Sequence, residues 1–213
     1  MKTLMIERSF FCIFVIDKGD ADMGCFTIKE YEIVPTETFD IIRNCSGCGG
    51  KRIFKNTNRI RMNANGKQLD VWLIYSCNEC KHTYNLPIYS RIRKELLEQS
   101  EYEALQKNSL ELAKKFGLSR SIFLKNEARI RKEPHYILVS ADKTVELIKK
   151  AETLEADTIR IWNPYQLKVR SDRLLAECLN IPRTQVKECL EKGLIKQKEN
   201  SGRKIVFYTN FQH

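Results

Sequence analysis

Residues 45–80 read CSGCGGKRIFKNTNRIRMNANGKQLDVWLIYSCNEC, with a Cys-x-x-Cys pair at each end. Each pair can present two thiolates from one tight turn, and two such turns that face each other form a tetrahedral sulfur site for zinc. Gly49 and Gly50 follow the first pair, where the turn needs backbone angles that glycine tolerates. We therefore predict one structural zinc ion per chain, bound by Cys45, Cys48, Cys77 and Cys80.

The residues between the two pairs predict antiparallel strands joined by a tight turn. Charged and apolar residues alternate over residues 59–63, which is the period of a half-buried strand. Asn65-Gly66 is a strong hairpin signal because both residues tolerate positive φ. Residues 69–75 return as a strand rich in Val, Trp, Ile and Tyr. We therefore predict a zinc ribbon, an antiparallel β fold, over residues 25–94.

Two other uses of paired cysteines fit this chain less well. A thioredoxin-like redox pair lies in a β-α-β setting, and neither pair has one. A catalytic zinc ion keeps one position open for water, whereas four thiolates fill a tetrahedron. We interpret His82, which follows Cys80 closely, as a neighbour of the site rather than a ligand. The sequence therefore favours a closed, structural site.

Positive charge is concentrated on two segments. The formal net charge is +10, and residues 41–94 carry 11 basic against 2 acidic side chains, while residues 166–213 carry 10 against 5. Such a distribution is typical of a protein that binds a polyanion. The predicted hairpin combines its cations with Trp72, Tyr75 and Tyr84, as single-stranded nucleic acid requires. The alternative is that the rings fill the core and the cations are only solvated. The cations predicted to contact nucleic acid here are Arg59, Arg61 and Lys67.

The rest of the chain divides into a leader, a middle segment and a C-terminal part. We interpret residues 1–24 as a leader that is either disordered or not native, since Met23 offers a second start. Apolar residues at helical spacing predict a helical middle segment over residues 95–156. Residues 157–213 combine two helices with a β-hairpin. The most apolar run, residues 10–16, is far shorter than the roughly 20 residues of a membrane helix. We therefore expect an α+β protein of the cytoplasm with no membrane partner.

In the C-terminal part, Arg170-Ser171-Asp172 opens the first predicted helix, Arg183 begins the second, and Gly193-Leu194-Ile195 leads into a strand. This order resembles the S4 RNA-binding module, in which the three segments correspond to the opening of the pattern, to the arginine that begins its second helix and to its exit into a strand. The sequence departs from the pattern at Ser171, where a leucine is usual, and in lacking a Val-Asn-Gly turn. The resemblance implies RNA binding. The cations that fall outside the apolar face of the predicted helices are Arg170, Arg173, Arg183 and Lys187.

Two alternatives remain open for these helices. A winged helix-turn-helix also has two helices and a basic hairpin, but its recognition helix must lie in the DNA major groove. The second predicted helix has only about two turns from Val186 to Gly193, which favours the S4-like interpretation. The other alternative is a helix pair with a purely structural role.

Six segments of the chain together form a specific pattern, and they are Cys45-Ser-Gly-Cys48-Gly49, Phe54-Lys-Asn-Thr57, Arg61-Met-Asn-Ala-Asn-Gly-Lys67, Leu69-Asp-Val-Trp-Leu-Ile74, Cys77-Asn-Glu-Cys80 and Asn85-Leu-Pro-Ile-Tyr89. With these segments the chain as a whole is similar to the uncharacterised bacterial family DUF1062. The resemblance implies a shared architecture and no established activity.

No catalytic set is visible in the sequence. There is no glycine-rich phosphate loop, and the three histidines lack a recognisable carboxylate or serine partner. We therefore expect a non-enzymatic, zinc-binding protein that binds RNA, associated with the ribosome or tRNA, and that has no small-molecule substrate. The alternatives are a DNA-binding regulator and a protein-interaction adaptor.

Overall fold

The structure is a computed structural model that describes residues 28–140 and 157–210. Contacts between Cα atoms divide the chain into two units. We call Pro35–Tyr136 the cysteine unit; the helix-pair unit comprises residues 28–34, 137–140 and 157–210. The predicted leader, and residues 141–156 of the predicted middle segment, lie outside the described residues.

The described residues form ten strands, five α-helices and a short 3-10 helix at Lys94–Leu96. In chain order the strands and α-helices are β1 (Ile28–Pro35), β2 (Ile41–Cys45), β3 (Gly50–Asn65), β4 (Gln68–Cys77), β5 (Thr83–Arg93), α1 (Gln99–Gln106), α2 (Leu110–Gly117), α3 (Arg120–Lys125), β6 (Arg129–Ile130), β7 (Tyr136–Ser140), β8 (Asp157–Trp162), α4 (Ser171–Leu179), α5 (Arg183–Glu191), β9 (Ile195–Asn200) and β10 (Lys204–Thr209). Two sheets and five α-helices confirm the α+β class. The predicted domain boundaries stay a prediction.

The cysteine unit contains a five-stranded sheet in the order β5-β4-β3-β2-β6. Alternate residues of β4 are buried, from Leu69 to Cys77, because successive side chains of a strand point to opposite faces. Helices α1 to α3 contribute further buried residues, and the ring of Phe123 meets Phe39 and Tyr75 edge to face. The core of this unit therefore contains the inner face of β4 and the apolar sides of these helices.

The predicted hairpin is confirmed, with Gly66 at φ +62° between β3 and β4. The sequence pattern also indicates a separate short strand at residues 51–54, before the one at residues 59–63, and this prediction of two strands was wrong. Residues 50–65 form one strand whose register with β4 shifts between Asn56 and Arg59. Asn58 has φ +56° at this bulge, a conformation that asparagine tolerates better than most residues. The bulge keeps Phe54 and Ile60 on the same face of the sheet although the chain between them is irregular.

The helix-pair unit contains the second sheet, in the order β7-β1-β8-β10-β9. Strands β1 and β8 are parallel, and β10 is antiparallel to both β8 and β9. Helices α4 and α5 connect β8 to β9, and Leu174, Leu175 and Val186 are fully buried between them and the sheet. Asn180 ends α4 in the left-handed conformation with φ +53°. The two helices and the β9–β10 hairpin that the sequence predicted are present.

The helices of the described ranges are all too short or too polar to cross a membrane.

Candidate metal centre and cationic surface

The two Cys-x-x-Cys pairs meet at one end of the first sheet. Cys45 ends β2 and Cys77 ends β4, and both strands pair with β3, which brings their ends side by side. The Cys45 and Cys80 sulfurs are 3.4 Å apart, the Cys48 and Cys77 sulfurs 3.9 Å, and all four lie within 4.8 Å of one another. Thiolates about 2.3 Å from a tetrahedral zinc ion lie about 3.8 Å from each other. The four cysteines are thus arranged to hold a metal ion.

The two pairs form equivalent turns. The backbone N–H of Gly49 donates to the carbonyl of Cys45 at 2.9 Å, and that of Lys81 donates to the carbonyl of Cys77 at 3.2 Å. Gly49 and Lys81 occupy the same place in the two turns and both have positive φ, +68° and +64°. The sequence predicted such backbone angles at Gly49, because glycine tolerates them. The second turn adopts the same conformation with a lysine.

Backbone N–H groups point at the first sulfur of each turn. Burial raises the pKa of the Cys77 thiol, but the N–H groups of Cys80 and Glu79, together with hydrogen bonds from the Cys45 and Cys80 thiols, lower the pKa to about 7. Burial and hydrogen bonds with the Cys80 and Cys77 thiols raise the pKa of Cys45, while the N–H groups of Cys48 and Gly47 act in the opposite direction. Because the thiolate is the form that binds a metal, donors aimed at the sulfurs favour the metal-binding state.

Polar contacts connect the two turns outside the sulfur cluster. Arg52 Nε donates to Glu79 at 2.9 Å, and Ser46 Oγ lies 3.0 Å from His82 Nε2. The sequence identified His82 as a neighbour of the site but did not identify the contact between Arg52 and Glu79. That pairing depends on how the two turns face each other, which no local pattern encodes.

The basic hairpin presents its cations on the face opposite the core. Arg59 and Arg61 are exposed and pair with Ile74 and Trp72 of β4. The Arg61 guanidinium lies 5.9 Å from the centre of the Trp72 ring. Lys67 is exposed directly after the turn. The structure therefore brings Arg59, Arg61 and Trp72 together on one face of the sheet.

The other two aromatic side chains predicted for this surface lie elsewhere. Tyr75 is fully buried, and its hydroxyl donates to the carbonyl of Phe39 at 3.0 Å. The Tyr84 ring is covered by the guanidinium of Arg43, 3.3 Å from the ring centre. Of the three rings, only Trp72 shares the outer face with the hairpin cations.

In the helix-pair unit, Asp172 binds two arginines from different helix starts. Arg170 donates to its carboxylate through Nε at 3.1 Å and Nη2 at 3.0 Å, and Arg183 donates through Nη2 at 2.7 Å. The Asp172 side chain is 11% exposed, whereas those of Arg170 and Arg183 are 70% and 46% exposed. The hydrogen bond from Arg183, assisted by Arg170 and opposed by partial burial, lowers the pKa of Asp172 to about 2. We call Arg170, Asp172 and Arg183 the arginine cluster.

The other two cations predicted for this region lie outside the cluster. Arg173 forms an ion pair with Glu177 at 2.9 Å, four residues along α4. Lys187 is exposed on α5, four residues after Arg183. Residues four apart are neighbours on a helix surface. Lys187 therefore lies on the same face of α5 as Arg183, the first residue of that helix.

The family model described as protein of unknown function (DUF1062) matches residues 62–201, more than half of the chain. The chain belongs to the DUF1062 family. The resemblance inferred from the sequence is thereby confirmed. Neither the curated proteins nor the solved structures yielded a match. The matched range of this DUF1062 protein includes Cys77, Cys80 and the arginine cluster.

Asp172 is one residue of this DUF1062 protein that the sequence did not assign to a site. The sequence marked the arginines on either side of it as nucleic-acid contacts. Its contact with Arg183 spans the turn between two helices, so only the packing of α4 against α5 reveals it. In the sequence, the available signal was a carboxylate between two arginines, Arg170 and Arg173. The sequence did not show that Arg183 is its partner.

Replacing His82 by alanine should leave the metal content of the DUF1062 protein unchanged, at about one ion per chain. The four sulfurs complete a tetrahedral ligand set, and His82 bonds to Ser46 instead. Elemental analysis of protein purified without added metal measures this. A loss of half the metal or more would make His82 a ligand.

Proposed function

We propose that this DUF1062 protein is a non-enzymatic RNA-binding protein whose C-terminal surface recognises RNA phosphates. The arginine cluster is the observation that carries the proposal. It places two exposed guanidinium groups side by side at the starts of α4 and α5, held by one carboxylate. Helix α4, α5 and the β9–β10 hairpin then correspond to the S4-like module inferred from the sequence.

The arrangement suits a polyanion for a physical reason. A guanidinium has five N–H donors in a fixed fork that matches phosphate geometry. Asp172 uses some of these donors and fixes both forks, so less side-chain freedom is lost when RNA binds. Two arginines and one carboxylate leave one net positive charge, and Lys187 adds another on the same helix. The surface is thus cationic and ordered before RNA arrives.

The length of α5 supports RNA over duplex DNA. Arg183–Glu191 has nine residues, which corresponds to about 13.5 Å of helix. A helix that reads the DNA major groove contacts several successive bases, for which we expect a helix of about three turns or more. A short helix that presents its first residues suits phosphates of a folded RNA better.

We further propose that the four cysteines bind one structural zinc ion and that the cysteine unit is a zinc ribbon. Zinc accepts four thiolates in a closed tetrahedron, which leaves no position for a substrate. The ion would tie the ends of β2 and β4 together and so hold the long β3–β4 hairpin in place. Arg59, Arg61 and Trp72 on that hairpin would form a second contact for single-stranded RNA, with charge for phosphates and a ring for stacking.

Salt-dependent binding tests the proposed function. The DUF1062 protein should bind a structured RNA, and its affinity should fall with a log–log slope of about −2 to −3 as salt increases, which corresponds to three or four phosphate contacts. Fluorescence anisotropy with a tRNA-sized hairpin and a duplex DNA of equal length measures both affinities. Absence of RNA binding at low salt would refute the proposal. Tighter binding to the duplex DNA would favour the DNA-binding alternative instead.

A further inference from the structure

The outer face of the first sheet, which lies opposite the core of the cysteine unit, carries an excess of positive charge. Asp70 is the single acidic residue in the five strands of this sheet, whereas every strand except β4 contains arginine or lysine. The Asp70 carboxylate accepts a hydrogen bond from the backbone N–H of Arg91 at 2.9 Å. A sheet of this composition complements a polyanion.

The helices of the cysteine unit contact the inner face of the sheet. The ring of Phe123 on α3 meets the buried Tyr75 edge to face. Phe116 on α2 meets the ring of Tyr89 in the same geometry, and the Tyr89 hydroxyl donates to Glu101 on α1 at 2.7 Å. Tyr89 lies opposite a buried valine of β4 and so shares the inner face with Tyr75. The outer face is therefore the side of the sheet away from α1, α2 and α3.

Strand register places two further cations on the outer face, at the β6 side of the sheet. Residues directly opposite each other on neighbouring strands have their side chains on the same face. Ile42 follows the buried Ile41 and therefore faces outward, and Arg129 of β6 lies opposite it. Asn44, two residues after Ile42, lies opposite Lys51 of β3. Arg129 and Lys51 are both exposed, so they extend the cationic surface beyond the hairpin.

Arg93 extends the same surface on the β5 side. Gln68 precedes the buried Leu69 and therefore faces outward, and Arg93 lies opposite it with an exposed side chain. We call these residues of the outer face the outer cations: Lys51, Arg59, Arg61, Arg93 and Arg129. They are spread along β3, whose 16 residues extend about 50 Å, so one small molecule cannot contact all of them.

An apolar surface lies between the outer cations. Trp72 is half-buried on the outer face, opposite Pro87 of β5, and the Arg61 guanidinium lies 5.9 Å from the centre of its ring. Ile74, two residues further along β4, is half-buried on the same face. A tryptophan ring beside an arginine offers a stacking surface for a base and a positive charge for the adjacent phosphate. The outer face thus combines the two contacts that an unpaired nucleotide needs.

We propose that the outer face as a whole, and not only the β3–β4 hairpin, binds a single-stranded segment of RNA. The segment crosses the strands with one base stacked on Trp72, and the outer cations hold its phosphates on both sides. This inference rests on the proposed function and deepens it, because it adds Lys51, Arg93 and Arg129 to the hairpin residues. In a duplex the bases are paired and stacked on one another, so they cannot reach Trp72. An acidic polypeptide would satisfy the cations but leave the ring without a base.

Tryptophan fluorescence tests the stacking contact. The chain has two tryptophans, so Trp162→Phe leaves Trp72 as the single fluorescent one. An oligouridine of about nine nucleotides should quench this fluorescence saturably, with a Kd below about 100 µM at low salt. An RNA duplex of the same length should bind at least about tenfold more weakly. Absence of quenching, or equally tight binding of polyglutamate, would overturn the proposal.

Lys51→Gln with Arg129→Gln tests whether the surface extends beyond the hairpin. The change should weaken the binding of this oligouridine by about three- to tenfold and make the log–log salt slope shallower by about 1.4, because two phosphate contacts are lost. Lys114→Gln with Lys115→Gln is the matched control. It removes the same charge from exposed positions of α2, which packs against the inner face, and should change affinity less than about twofold. Equal losses in the two variants would mean that only the total charge matters and would contradict the assignment.

The arginine cluster provides the comparison that separates this inference from the proposed function. Arg170→Gln with Arg183→Gln should leave oligouridine binding unchanged, since those residues lie in the other unit. If oligouridine binding is lost in that variant, the oligonucleotide binds the arginine cluster and the assignment to the outer face is wrong. If the unmodified chain binds a structured RNA but not oligouridine, this inference fails while the proposed function stands. Binding of oligouridine without binding of structured RNA would refute the C-terminal RNA surface and leave the outer face supported.

Discussion

Cys77→Ser is expected to abolish stoichiometric zinc binding and to destabilise the cysteine unit. Cys77 is fully buried at the end of β4, and a serine hydroxyl does not replace a thiolate as a zinc ligand. Structural zinc contributes about 10–16 kcal/mol of binding free energy in small zinc-finger peptides, and this energy stabilises the fold. The unit also has an apolar core around Tyr75 and Phe123, so we expect a weakened rather than an unstructured unit. Its melting temperature should fall by at least about 10 °C, which corresponds to a loss of about 2 kcal/mol.

Metal analysis and thermal unfolding on the same preparations measure this result. Cys189→Ser is the matched control, because Cys189 is half-buried on α5 and lies outside the cluster. It should keep about one zinc ion per chain. Adding a strong chelator to the unmodified chain should reproduce the lower melting temperature. Full zinc occupancy in Cys77→Ser, or no bound metal in the unmodified chain, would contradict a zinc site.

Local signals explain why the cysteine cluster and the helix pair were predictable. Each Cys-x-x-Cys pair is a four-residue pattern, and the Asn65-Gly66 turn is a two-residue one. Apolar residues recur at helical spacing over residues 171–179, which predicts a helix in the range where α4 forms. In each case the residues that determine the conformation are close together in the chain.

Pairings between distant segments were not predictable. Strand β1 lies parallel to β8, with Ile28 opposite Thr158, so residues about 130 positions apart are neighbours. Parallel strands need no tight turn between them, and thus no turn signal marks the pair. The strand pattern of β1 is visible in the sequence, but the sheet in which it lies is not.

The bulge of β3 shows why an irregular strand is difficult to predict from the sequence. Residues 56–58 are polar and interrupt the alternation of the strand, which predicts a break. The chain instead keeps its pairing with β4 by placing Asn58 in the left-handed conformation. Two buried amide atoms that have no hydrogen-bond partner among the described residues, Asn56 Nδ2 and Asn58 Oδ1, lie at this irregularity. The sequence could not predict them, because a polar run has the same composition in a loop and in a bulge.

Arg170→Gln with Arg183→Gln is expected to weaken RNA binding by about 10- to 100-fold at moderate salt. The change removes two guanidinium contacts to phosphate, so the log–log salt slope should become shallower by about 1.5 to 2. Anisotropy titrations at several salt concentrations measure both quantities. Lys115→Gln with Lys125→Gln is the matched control. It removes the same charge from exposed positions of α2 and α3 and should change affinity less than about threefold.

Asp172→Asn tests whether the arginine cluster binds RNA through the geometry of its arginines or only through its charge. The variant makes the surface more positive, so a purely electrostatic attraction predicts tighter RNA binding. If Asp172 instead holds Arg170 and Arg183 in a phosphate-binding geometry, the variant should bind RNA more weakly, by about three- to tenfold. Thermal unfolding must show that the variant is still folded, because Asp172 also accepts from the backbone N–H of Arg173 at 3.0 Å. Tighter binding by a folded Asp172→Asn variant would mean that only the charge of this surface matters, and that the cluster does not orient its arginines for RNA.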